Sequence, residues 1–357
     1  MELTLFVDHA CNLRCSYCYN GKKFSRPMPA EVMRGSVNLA LARRPAQLDV
    51  SFFGGEPLLH PRFIEETLAH VQTAVRALPE PHPRVRYVIN TNRTRVDDRV
   101  LALLAPARDF TVYVSLDGPA AVHDAHRVDE DGQGSFAGIV ANLERLRQAG
   151  IAFRLVAVVR PDTARRLGEV MRTLLDLRPA QVTLTPDFRA PWTAESTTEL
   201  RLGLRDAGEV WMTAFRDGHA LPLEPLRGKI LTHLKEGIPC PERCTLAGRA
   251  FAVTPTGRLY PCAQMIGDDR DDELVIGTGG LDVAMFTEHN SVNMAIRHKH
   301  LKLDQTKIDK ARRLLGLSTE QETVKTALDL VIAEEPILRA HRKVKGIGGV
   351  VDLFGAR

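Results

Sequence analysis

The chain has 357 residues, 44% of them hydrophobic and 26% charged, with 48 Lys and Arg against 44 Asp and Glu for a formal net charge of +4. That length is enough for two domains or for one large α/β barrel with an appendage. The composition is that of a soluble globular protein, and no apolar run approaches the ~20 residues of a membrane helix, which excludes a helical membrane protein.

The opening Met1-Glu2-Leu3-Thr4 has no basic region followed by an apolar core, so the expected compartment is a reducing cytoplasm. Six cysteines are then not expected to form a disulfide scaffold. Apolar, β-branched runs recur at residues 2–7, 48–53, 84–91, 110–116, 152–159 and 181–185, with helical periodicity in each interval. One such helix carries Phe136, Ile139, Val140, Leu143 and Leu146 and closes at Gly150. Six βα units imply a parallel sheet, doubly wound or curled, and fall short of a full eightfold barrel. Helices are predicted at 198–219 and 223–236, then a cysteine-bearing segment at 240–262, then an acidic, Gly-rich stretch at 267–280 that reads as linker. From Ser291 onward 13 Lys and Arg face 8 Asp and Glu, or +5, which leaves −1 for residues 1–290. All six cysteines lie upstream of that point, so an organisational boundary is placed near 285–297.

Directly after the first strand comes Cys11-Asn12-Leu13-Arg14-Cys15-Ser16-Tyr17-Cys18, a C-x3-C-x2-C spacing. Three thiolates so close on one loop can hold three irons of a cubane cluster and leave the fourth iron open for chemistry. A zinc site recruiting His9, or three buried free cysteines, are the other readings of the same residues.

With Gly54-Gly55-Glu56-Pro57 at the end of the second strand, the cysteine motif resembles the radical S-adenosylmethionine (SAM) superfamily. The resemblance implies a [4Fe–4S] cluster on Cys11, Cys15 and Cys18 whose open iron chelates SAM, with Gly54, Gly55, Glu56 and Pro57 presenting backbone carbonyls and a carboxylate to its amino group. Tyr17 would lie near adenine. Ser115-Leu116-Asp117-Gly118-Pro119, followed by His123-Asp124 and Arg127, is similar to sulfatase maturases and peptide-modifying members. There Ser115 and Asp117 would serve the SAM site and Arg127 its carboxylate. Thr91-Asn92 fits the third loop, where Arg93 replaces the usual glycine. The implied chemistry is reductive cleavage of SAM to a 5′-deoxyadenosyl radical that takes hydrogen from substrate. The electron would come from a flavodoxin or ferredoxin.

Cys240, Cys244 and Cys262 form C-x3-C-x17-C, and Thr254-Pro255-Thr256-Gly257 reads as a hairpin turn that folds Cys262 back toward the other two. The pattern resembles the opening of the auxiliary-cluster domains named SPASM or twitch, and implies a second iron–sulfur cluster. A Cys3His zinc knot with His233 is the alternative. No cysteine follows Cys262, so the full cysteine set of the sulfatase maturases is absent. A three-cysteine auxiliary site is also similar to the GTP cyclase of molybdenum cofactor synthesis. The expected activity is therefore peptide or protein modification, with a small-molecule cyclase second.

In the tail, His300–Asp304 alternates as a short strand, residues 307–315 form an amphipathic helix, and Ser318 can cap a second helix at 320–334. The order resembles a ribbon-helix-helix antitoxin, which implies a homodimer with His300 and Lys302 facing DNA, or a toxin-like partner. A regulatory DNA- or partner-binding role is the corresponding non-catalytic reading. The expected fold is thus α/β: a partial (βα)6 TIM-like barrel at 1–215, an auxiliary-cluster region at 216–285, a linker at 286–298 and a strand–helix–helix module at 299–357.

Overall fold

Each of the six apolar runs forms a strand: β1 (Glu2–Phe6), β2 (Gln47–Phe53), β3 (Arg84–Thr91), β4 (Phe110–Ser115), β5 (Phe153–Val159) and β6 (Gln181–Pro186). In the computed structural model, which describes residues 1–92, 94–105, 107, 109–234, 250–270, 274–278, 305–315, 319–320 and 322–323, these strands pair in parallel and in sequence order. The intervals hold α1 (Ala30–Ala42), α2 (Pro61–Arg76), α3 (Asp98–Leu103), α4 (Ala120–His123), α5 (Phe136–Gln148) and α6 (Leu167–Asp176). The result is the α/β fold with a mostly parallel sheet expected of a partial barrel. Burial explains the strand composition. Phe153, Leu155, Ala157 and Val159 of β5 alternate with half-buried residues, whereas β1 is buried on both faces from Leu3 to Phe6. In α5 the buried side is Ile139, Leu143 and Leu146, at helical spacing.

After β6 the chain departs from the sequence reading in two places. The helix α7 (Ala194–Arg216) begins with a reciprocal cap between Thr193 and Ser196. The helix predicted at 223–236 instead opens as a two-residue strand, β7 (Leu223–Glu224), which pairs in parallel with β6, and only then becomes α8 (Leu226–Leu234). Pro225 accounts for the break, because it lacks an N–H and disfavours helical backbone in the residue before it. The predicted hairpin is present as β8 (Ala250–Val253) and β9 (Arg258–Tyr260), with β8 parallel to β1. The stretch read as linker contributes β10 (Gly277–Thr278), antiparallel to β9. The open edge of β9 offers unpaired backbone groups that an extended segment of any composition can satisfy.

The order β10-β9-β8-β1-β2-β3-β4-β5-β6-β7 makes one continuous ten-stranded sheet. It therefore runs across residue 215. A second unit contains, among the described residues, α9 (Gln305–Leu315), matching the predicted helix at 307–315, plus a turn in which Thr319 Oγ1 accepts the Glu322 N–H at 3.2 Å. That places a cap one residue after Ser318, which lies outside the described residues together with the strand at 300–304 and most of the second helix. No helix among the described residues is long and apolar enough to cross a membrane.

Leu155 is fully buried in the middle of the sheet. Leu155→Ala is expected to lower unfolding free energy by about 2–5 kcal/mol, read from urea denaturation.

Candidate functional site

The C-terminal strand ends carry the chemistry-bearing residues, as in other parallel barrels. Cys11, Cys15 and Cys18 follow β1, Gly54–Pro57 follow β2, Asn92 follows β3, and Ser115 and Asp117 end and follow β4. The cysteine loop is laced to both neighbours through its backbone. Gly55 N–H donates to Asp8 C=O at 2.8 Å and Glu56 N–H to Ala10 C=O at 3.0 Å. On the other side Arg14 N–H donates to Val128 C=O at 2.7 Å and Ser16 N–H to His126 C=O at 3.0 Å. The glycine pair is a steric requirement: a Cβ on Gly54 would stand 2.6 Å from Asp8 O, and one on Gly55 would run into Ala10.

All three cysteines are free thiols and half-buried. Burial, with Glu56 next, pushes the Cys11 thiol up to about 11, and burial moves Cys15 in the same direction. Burial thus favours the neutral thiol at Cys11 and Cys15, so binding of metal there would release protons. The donor set fits an iron–sulfur cluster better than a lone ion. Among the described residues no three His, Cys, Asp or Glu side chains are arranged around a position for one metal ion. His9, the zinc ligand of the alternative reading, is fully buried with its ring stacked on Phe24 at 4.4 Å, and its pKa is lowered by burial.

Glu56 is 2% exposed. Its Oε1 accepts from Leu58 N–H at 2.9 Å and from the Thr91 hydroxyl at 2.7 Å, and Oε2 accepts from Asn92 N–H at 2.6 Å. The carboxylate thus ties the β2 turn to the end of β3. Asn92 carries the link onward, with Nδ2 donating to Asn12 Oδ1 at 3.0 Å and reaching Cys11 Sγ at 3.5 Å. Pro57 starts a short buried turn that Glu56 caps.

Asp117 and Arg127 are 3% and 7% exposed and form a two-pronged pair, Nε to Oδ2 at 2.8 Å and Nη2 to Oδ1 at 3.1 Å. Oδ1 also accepts Val158 N–H of β5 at 2.9 Å, and the Tyr17 hydroxyl donates to Oδ2. Burial by itself would raise the Asp117 pKa, but the charge and hydrogen bonds of Arg127 outweigh it and hold the carboxyl below its usual range. The Arg127 guanidinium lies over the Tyr17 ring at 5.2 Å. The fork expected to face a SAM carboxylate is therefore engaged by Asp117, and Tyr17 is anchored by its hydroxyl. Ser115 is half-buried at the end of β4.

The His123-Asp124 motif is a support. Asp117 N–H donates to His123 Nδ1 at 3.2 Å, which leaves Nε2–H for Ser135 Oγ at 2.9 Å, and Ser135 donates to Arg127 C=O at 2.9 Å. Asp124 accepts Phe136 N–H at 2.9 Å.

Several residues at the site were not singled out in the sequence. Asn20 Nδ2 donates to Gly54 C=O at 2.6 Å, and Lys23 Nζ donates to Cys18 Sγ at 2.9 Å. Asp8 takes Ala10 N–H at 3.1 Å and Arg26 N–H at 2.6 Å. Arg160 pairs with Asp187 at 2.7 Å, and Arg189 joins Tyr19 C=O at 3.3 Å to Gln264 C=O at 2.9 Å. Charged residues just past the ends of β5 and β6 were a usable signal for Arg160 and Asp187. Cys262 is half-buried and described, whereas Arg93, Cys240 and Cys244 lie outside the described residues.

Burial, and after it Arg127, lowers the His123 pKa to about 4 from 6.5. Between those values the unfolded chain binds a proton that the native state does not, so stability rises with pH through this window and falls on acidification. His123→Asn is expected to remove up to about 1.4 kcal/mol per pH unit of that slope, measured by urea denaturation between pH 4 and 6.5.

Residues 7–174 match the family model of the Radical SAM superfamily. The Cysteine-type anaerobic sulfatase-maturating enzyme of Clostridium novyi (strain NT) is 23% identical over 277 residues, which cover 72% of each chain. The solved structure of native anSMEcpe with bound AdoMet and Kp18Cys peptide superposes with a TM-score of 0.67 at 21% identity, covering 78% of each chain. Streptococcus suis SuiB bound to its precursor peptide SuiA gives 0.55 at 16% identity, over 85% of this chain and 68% of that one. These structures share the fold. Residues 7–174 are thus a radical SAM domain, the part of an enzyme that uses a [4Fe–4S] cluster and S-adenosylmethionine as cofactors.

Proposed function

We propose that Cys11, Cys15 and Cys18 hold three irons of the cluster, that the fourth is left to SAM, and that the enzyme takes hydrogen from a peptide or protein side chain. The observation that carries the assignment is the donor set itself: three free thiols on one loop at the end of β1, each within reach of a nitrogen donor, on a frame locked by Glu56 and Asp117. When bound, the cluster supplies the electron that cleaves the sulfonium of SAM into methionine and a 5′-deoxyadenosyl radical.

The chain's own residues bind and orient. The glycine pair lets the β2 turn lie against the cysteine loop, within backbone hydrogen-bond reach of Asp8 and Ala10. Asp117 and Arg127 fix Tyr17 and with it the backbone between Cys15 and Cys18. The Nη1 of Arg127, pointed toward Cys15, is the part of its fork not bonded to Asp117.

A peptide substrate is supported by the sulfatase-maturating and SuiB likenesses, both known with peptides bound, and these favour it over a small-molecule cyclase. Cys240, Cys244 and Cys262 are proposed to hold an auxiliary cluster, a flavodoxin or ferredoxin to donate the electron, and the 299–357 module to dimerise or dock a partner.

Anaerobically reconstituted protein, given SAM and a reductant, is expected to release 5′-deoxyadenosine, and Cys15→Ala to bring this to background by chromatography. Retained cleavage in Cys15→Ala would overturn the assignment.

A further inference from the structure

The three sulfurs of the cysteine loop each meet a nitrogen donor from a different stretch of chain. Asn92 Nδ2 is 3.5 Å from Cys11 Sγ, Arg127 Nη1 is 4.0 Å from Cys15 Sγ, and Lys23 Nζ is 2.9 Å from Cys18 Sγ. The three donors are not equivalent. Asn92 is neutral, and the charge of Arg127 is compensated at close range by Asp117. Lys23 makes the shortest contact, is half-buried, and among the described residues has no carboxylate partner.

The turn that carries Lys23 is pinned on both sides. Ahead of it, Gly21 has φ +67°, and a Cβ there would overlap the Asp268 carboxylate, whose Oδ1 accepts Lys22 N–H at 2.7 Å. Behind it, Phe24 stacks on His9 at 4.4 Å and Arg26 N–H donates to Asp8 Oδ1 at 2.6 Å. Lys23 is thus directed to Cys18 by a fixed backbone, and one of the fixing groups belongs to the segment that follows Cys262.

We infer that Lys23 sets the reduction potential of the cluster held by Cys11, Cys15 and Cys18, raising it through a charge-assisted N–H···S hydrogen bond to Cys18, with Asp268 as its positioning residue. The inference rests on the cluster assignment proposed above. One-electron reduction adds one negative charge to the cluster and neither makes nor breaks a bond. A cation donating to a ligand sulfur stabilises the more negative state more than the oxidised one, so the potential moves up and the electron is accepted more readily.

The test uses the full chain, anaerobically reconstituted, with iron per chain measured and the reduced cluster followed by electron paramagnetic resonance. Titanium(III) citrate serves as the one-electron donor in a mediated titration. The relevant signal is the one lost in Cys15→Ala. In Lys23→Met the ratio of reduced to oxidised cluster at a fixed potential is expected to fall about tenfold, a midpoint about 59 mV lower for a one-electron couple. Lys23→Arg is expected to restore most of the shift, and Asp268→Ala to lower the potential by less than Lys23→Met. A Lys23→Met cluster of unchanged potential overturns the inference and leaves the cluster assignment standing. Wild-type protein in which Cys15→Ala removes no signal overturns the assignment itself. Should Lys23→Met fail to load iron, Lys23→Gln, which keeps a donor without the charge, is titrated in its place, and an unchanged potential there overturns the role of the charge.

Discussion

The buried pair of Asp117 and Arg127 is the interaction on which the site depends. Its carboxylate is the meeting point of the end of β4, the β5 backbone at Val158, the Tyr17 hydroxyl and the Arg127 fork. Moving any one of these would leave a charge or a donor without a partner in a place where water cannot reach, a penalty of several kcal/mol. Glu56 does the same work on the opposite flank, taking donors from its own turn, from Thr91 and from Asn92. The cysteine loop lies between these two carboxylates. Each of its neighbours is fixed before any cofactor arrives, and the nitrogen donors to Cys11 and Cys15 come from the residues that these carboxylates hold.

Much of this was legible in the sequence, for physical reasons that differ by element. The six parallel strands could be read because each buries at least one face, which leaves a recurrent apolar, β-branched pattern, and their bounds fall within a residue or two of those expected. The cysteine loop, the glycine pair, Asn92, Asp117 and Arg127 could be read because spacing on successive strand ends is a one-dimensional record of one face. Other features leave no such record. β10 is two residues of ordinary composition whose strand character comes wholly from the free edge of β9. β7 lies within a helical pattern of apolar residues, and only Pro225 marks the break between strand and helix.

The roles of the polar residues were harder to read than their positions. Arg127 and Glu56 carry the right chemistry to meet a bound amino acid, and a sequence gives no sign of competition for them. In the folded chain Asp117 occupies the Arg127 fork and three donors occupy Glu56. Lys23 illustrates the converse: five residues after Cys18 in a segment without periodicity, it has no sequence signal beyond its charge. What brings it to a sulfur is Asp268, some 245 residues away, by way of a backbone N–H.

Desolvating Asp117 and Arg127 costs most of what their mutual attraction returns, so the attraction of the two charges adds little to stability. Stability therefore does not explain the pair. Geometry does. A hydrophobic substitute would fill the volume without specifying where Tyr17 sits or in which direction a nitrogen points. The ion pair specifies both, because a planar fork on a carboxylate has one good orientation, and that orientation leaves Nη1 facing Cys15. The same argument covers His123, kept neutral by burial and by Arg127 so that it can accept from Asp117 and donate to Ser135 in one fixed tautomer. A site that must hold three sulfurs at set positions on a loop gains this precision from buried polar groups with every partner supplied, and the loop is ordered by its neighbours more than by its own sequence.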